Sequence, residues 1–112
     1  FCQLSGNDET ALGFNAMGGV GCISVTANIA PRLCADFQQA CLTGDWETAL
    51  KLQDRLYPLH DAMFCDSSPG PVKYALSRLR DDMPTEVRLP ITWPSSAARA
   101  TVDRALEIAG LV

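Results

Sequence analysis

The chain has 112 residues, enough for one modest domain and not for two. It is 47% hydrophobic and 20% charged, with a net charge of −4 and nine Lys/Arg scattered singly, so no basic stripe offers itself to nucleic acid or to an anionic membrane. No apolar run approaches the ~20 residues of a membrane-spanning helix.

Phe1–Ser5 reads as a short strand, and it lacks the charged-then-apolar layout of a signal peptide, which suggests a cut or processed chain. Gly6, Asn7 and Asp8 form a turn, and Asn7 or Asp8 can cap a helix over about Glu9–Met17 that Gly18 stops. The glycines Gly18, Gly19 and Gly21 precede the next strand. A phosphate-cradling loop needs its glycines after a strand and at the start of a helix, so the order favours a helix C-cap, where glycine takes positive φ without cost. Val20–Thr26 is the second strand, apolar on both sides as in a covered parallel sheet, and strand, helix, strand makes a βαβ unit. If that strand stays regular, Ser24, Thr26 and Asn28 share one face and Ile23, Val25 and Ala27 the other.

Beyond Ala30 the strand signal disappears. Pro31 opens a helix to about Leu42, closed at Thr43–Gly44. Asp45 caps the next, whose Trp46, Ala49, Leu52, Leu56, Leu59 and Met63 recur at three- and four-residue steps, with Pro58 removing one backbone hydrogen bond and bending it. Ser67–Pro71 breaks the pattern, Val72–Leu79 is a further helix, and Met83–Pro94 is an irregular connection. Ser95 or Ser96 caps a last helix to about Ala109, ended by Gly110. Two parallel strands alone leave both edges unpaired, so the pattern reads as the end of a larger parallel α/β fold with a helical tail.

Five cysteines, none in a CxxC pair, and a single histidine give no metal-ligand spacing and point to reduced, mostly buried thiols of a cytosolic protein. His60 and Cys65 lie about 140° apart around a helix and diverge, so His60 reads as structural or surface-lying rather than as a general base. Lys73 sits early in a helix with no evident desolvation, which argues against a Schiff-base amine. Asp8 and Glu9, just after a strand, occupy the place where α/β enzymes bind ligands, as does the Ser24–Asn28 tail of the second strand.

Four stretches then carry a recognisable pattern: LSGNDETALGFNAMGGVGCISVTANIAPR (Leu4–Arg32), LYPLHDAMF (Leu56–Phe64), PGPVKYAL (Pro69–Leu76) and RLPITWPSS (Arg88–Ser96). Collinear over essentially the whole chain, they resemble the C-terminal portion of the dihydrodipicolinate synthases. These are the lysine-biosynthesis branch of the class I pyruvate aldolase family that also holds N-acetylneuraminate lyase. The resemblance implies the last two strands of an eight-stranded TIM (β/α)8 barrel, over residues 1–44, followed by a C-terminal helical domain over 45–112. It implies a cytoplasmic enzyme, a homotetramer or dimer, with no cofactor. That enzyme condenses pyruvate with aspartate semialdehyde through a lysine Schiff base to a hydroxy-tetrahydrodipicolinate.

The family's lysine nucleophile, proton-relay tyrosine and substrate arginine belong to earlier strands, in the N-terminal barrel that would partner this chain. No catalytic residue is therefore expected here, and Lys73, Tyr57 and Tyr74 do not fall at those positions. Two elements do match. Ile23 stands at the position whose backbone carbonyl contacts pyruvate, and Gly6, Asn7 and Asp8 stand in the loop that borders the aldehyde. Asn7 replaces a commonly acidic residue, and Ser67–Gly70 departs from the family's usual Pro-Asn-Pro stretch. The alternatives are a related 2-keto acid aldolase or lyase, and a stand-alone helical module binding a partner through the Trp46–Met63 stripe.

Overall fold

The computed structural model describes all residues 1–112. Five α-helices carry the fold: α1 (Ala11–Ala16), α2 (Pro31–Leu42), α3 (Trp46–Ala62), α4 (Gly70–Leu79) and α5 (Ser96–Ala109), with a 3-10 turn at Thr26–Asn28 between α1 and α2. Their ends follow local chemistry. Pro31 opens α2 at a position where a missing N–H costs nothing, and Gly44 behind it takes φ +74°. Asp45 caps α3 by accepting the Thr48 N–H at 3.1 Å, and Ser95 caps α5 by accepting that of Ala98 at 3.1 Å. Gly110, at φ +74°, closes α5 in the left-handed region. Helix α4 begins two residues earlier than the periodicity predicts, because Pro71 fits its first turn.

The strands depart furthest from expectation. The first and second segments do meet in parallel, but as a single bridge between Ser5 and Cys22 and not as two regular strands. Backbone bonds from Val20 N to Gln3 O (3.0 Å), Ser5 N to Gly21 O (2.9 Å) and Ile23 N to Ser5 O (2.9 Å) are the whole ladder. The second segment was expected to stay extended to Thr26. It turns helical at Val25 (φ −75°, ψ −43°), so Ser24, Thr26 and Asn28 do not share a strand face. The cause is the Asp8 side chain, which captures the Val25 amide that would have continued the ladder, and the Thr26 amide with it.

Helix α1 is shorter than the expected Glu9–Met17. Neither Asn7 nor Asp8 caps it through a side chain; Thr10 is its N-cap and makes no side-chain cap bond. Gly18, at φ +109°, ends it as expected, with its N–H on the Asn15 carbonyl.

The buried cluster runs from Ala11 through Phe37, Leu56, Leu59 and Met63 to Val102, Leu106 and Ala109, with α3 packed against both α2 and α5. Within α3 the stripe Ala49, Leu56, Leu59, Met63 is buried, whereas Trp46 is 42% exposed. At 100° per residue Trp46 lies about 60° around from Ala49, on the shoulder of the buried face. Pro58 lies inside α3 without breaking it; the Asp54 carbonyl, which loses its helical donor there, belongs to an exposed residue that water reaches.

Candidate functional site

The turn after Ser5 splits its three candidate residues. Gly6 and Asn7 are exposed, with the Asn7 N–H donating to Ser5 Oγ (3.1 Å) and Ser5 Oγ–H donating back to the Asn7 carbonyl (2.9 Å). Asp8 turns inward and is buried. Its Oδ2 accepts the N–H groups of Val25 (3.0 Å) and Thr26 (3.3 Å), and its Oδ1 accepts the Cys22 thiol at 3.7 Å. A carboxylate at the first amides of a helical turn is favoured by the dipoles it faces, so the buried charge is met without a cationic partner. This capture ends the second strand.

Ile23 sits between two anchors. Its N–H donates to Ser5 O on one side, and two residues on Val25 is pinned by Asp8. No hydrogen bond within the chain ends on the Ile23 carbonyl. Ile23 is 72% exposed, while its neighbours Cys22 and Ser24 face residues of α2 and α3.

Behind the turn lies a cavity of about 200 Å³ lined by Asp8, Cys22, Ser24, Cys34, Leu56 and His60. Burial, with the Asp8 carboxylate as second cause, pushes both the Cys22 and the Cys34 thiol up to about 11. These thiols stay protonated at neutral pH and are poor nucleophiles. His60 is buried at 3% exposure, and its Nδ1 shares a 2.7 Å hydrogen bond with Thr26 Oγ1, itself wholly buried. Burial lowers the His60 pKa, against opposing attraction from Asp8 and Glu9.

His60 is therefore structural and internal, not on the helix surface, and it does not meet Cys65, whose thiol donates to the Ala98 carbonyl at 3.7 Å. All five cysteines are free; Cys34 and Cys41 are buried and Cys22 half-buried, but Cys2 and Cys65 are exposed, so the expectation of mostly buried thiols holds for three. Lys73 lies half-buried on α4 beside Asn28 and Met83, outside the Asp8 cavity. Tyr57 is 49% exposed, and Tyr74 donates to the Asp103 carboxylate (2.9 Å) and stacks edge-on against Trp93.

Sequence reasoning missed the inward turn of Asp8 and the Thr26–His60 pair. The first had a signal, an acid just after a strand; the second spans 34 residues and had none.

The dihydrodipicolinate synthetase family model matches residues 1–109. The 4-hydroxy-tetrahydrodipicolinate synthase of Rhizorhabdus wittichii is 68% identical over 111 residues, 99% of this chain and 38% of that protein. The chloride-inhibited dihydrodipicolinate synthase of Acinetobacter baumannii, solved with pyruvate, superposes over the whole chain and 38% of its own length, at a TM-score of 0.93 and 37% identity. A synthase characterised as a monomeric variant superposes at 0.94 and 31% identity, over the whole chain and 37% of its own. The chain thus spans under two-fifths of the length of the relatives it matches. With the match running through the Asp8 turn and into the last helix, the chain belongs to the dihydrodipicolinate synthetase family.

Proposed function

We propose that the chain acts as the C-terminal portion of a 4-hydroxy-tetrahydrodipicolinate synthase, condensing pyruvate with L-aspartate 4-semialdehyde in lysine biosynthesis. The observation that carries this reading is the 68% identity, across 99% of the chain, to a protein of that name. In the reading, residues 1–44 complete a (β/α)8 barrel in the cytoplasm and residues 45–112 form a helical domain behind it. The whole enzyme assembles as a dimer or tetramer.

The Schiff-base lysine is contributed by the preceding barrel strands, and its amine condenses with the pyruvate ketone with loss of water. The derived enamine attacks the aldehyde carbon, and the adduct cyclises as the amine leaves. This chain's part is to bind and orient. The Ile23 carbonyl, free of any partner within the chain, is an acceptor for the protonated Schiff-base N–H that forms when pyruvate condenses. Gly6 and Asn7, exposed at the same end of the bridge, border the aldehyde, with Asp8 holding the loop from below.

The test is to assay the full-length protein with pyruvate and aspartate semialdehyde, and to trap it with pyruvate and borohydride. A covalent adduct on a lysine outside this chain, with turnover of the semialdehyde, is the expected outcome. An adduct on Lys73 contradicts the assignment, and cleavage of sialic acid without turnover of the semialdehyde moves the protein to the lyase branch.

A further inference from the structure

The Ile23 carbonyl is useful as an acceptor only if its peptide plane is held still, and the chain holds it from both sides. Upstream, the Ile23 N–H is fixed by Ser5 O at 2.9 Å. Downstream, the Asp8 carboxylate holds the Val25 and Thr26 amides at 3.0 and 3.3 Å, which forces the reversal from extended to helical backbone immediately after Ser24. Backbone bonds from Ile29 and Ala30 to the Thr26 carbonyl hold the turn from within. Its first residue also ties it to α3: Thr26 Oγ1 meets His60 Nδ1 at 2.7 Å, and both side chains are buried. His60 is fixed in turn, because its helix α3 is anchored in the core on either side by Leu56, Leu59 and Met63.

We infer that Thr26 and His60 are positioning residues for pyruvate, transmitting the rigidity of α3 through the Asp8-bound turn to the Ile23 carbonyl. The inference rests on the proposed function, because it presupposes that this carbonyl meets pyruvate. A buried hydroxyl–imidazole bond spanning 34 residues does more than a packing contact at the same place. It fixes the rotation of the turn as well as its distance from the helix, since hydrogen bonds are directional where apolar contacts are not. Misplacing that acceptor by a fraction of an ångström weakens its bond to the protonated Schiff-base N–H that the keto acid forms.

The test uses the full-length enzyme carrying Thr26→Val, which keeps the shape and removes the hydroxyl, and His60→Gln. Loss of one oriented hydrogen bond predicts a rise of about five- to tenfold in KM for pyruvate, larger than any change in KM for the semialdehyde. Thr26→Ser, which restores the hydroxyl, returns KM for pyruvate to the parent value. Asp103→Asn, which loosens α4 against α5 through Tyr74 and Arg78, serves as the stability control and leaves that KM unmoved. If Thr26→Val does not fold, Thr26→Ser against Thr26→Ala gives the same comparison. Unchanged KM for pyruvate in the variants, with normal pyruvate trapping by the parent, overturns the positioning role alone. A parent protein that traps no pyruvate overturns the functional reading, and this inference with it.

Discussion

At the scale of single residues, the buried pair Thr26–His60 has a thermodynamic signature of its own. Burial holds the folded-state pKa of His60 below its ordinary 6.5, so the folded protein binds this proton less readily than the unfolded chain. The stability His60 confers is therefore present in full above about pH 6.5, and it is lost as the pH falls from there through the depressed folded value. Urea denaturation of the full-length protein between pH 5 and 8 is expected to show stability declining below about pH 6.5, with His60→Gln flattening that part of the curve. An unchanged slope in the variant assigns the decline to other groups. Asp8 makes a related point about legibility. An acid following a strand is visible in the sequence, but whether it faces a ligand or the backbone depends on residues seventeen and eighteen positions away.

At the scale of elements, helix ends were readable because their causes are local. Pro31, Asp45, Ser95 and Gly110 each act within a turn of the boundary they set, and each boundary lies within a residue of its expected place. Helix α1 shows the limit, since Thr10 occupies the N-cap position without making the bond. The contrast predicts unequal costs. Ser95→Ala is expected to destabilise by about 1 kcal/mol, whereas Thr10→Ala stays within about 0.5 kcal/mol of the parent, both read by denaturant titration. Equal losses in the two variants contradict the cap assignments. The second strand departs from its sequence pattern for the opposite reason: its apolar, β-branched residues favour extension, and a distant carboxylate overrides them from Val25 onward.

At the scale of the whole molecule, 28 of 112 residues are buried, which leaves a thin core for a chain of this length. The paired segments also leave Leu4 (52%), Val20 (42%) and Ile23 (72%) exposed. A two-segment parallel bridge with apolar flanks and free edges invites pairing with other chains. The isolated 112-residue polypeptide is expected to self-associate, seen by sedimentation over a range of concentrations. A sharp thermal transition in a monomer, independent of concentration, contradicts this.

Two bonds on α3 also set an order of events during synthesis. Gln53 donates to the Glu9 carbonyl at 2.9 Å, a partner made 44 residues earlier, and Arg55 donates to the Ala109 carbonyl at 2.8 Å, a partner made 54 residues later. On a growing chain, the first bond has its acceptor as soon as α3 emerges. The second must wait while the ribosome adds α4 and α5, an interval of about three to ten seconds at ordinary elongation rates. Throughout that interval the face of α3 that α5 finally covers stays open. The nascent polypeptide thus passes through a stage in which its central helix is docked on one face and open on another, and that is the stage at which a chaperone has most to bind.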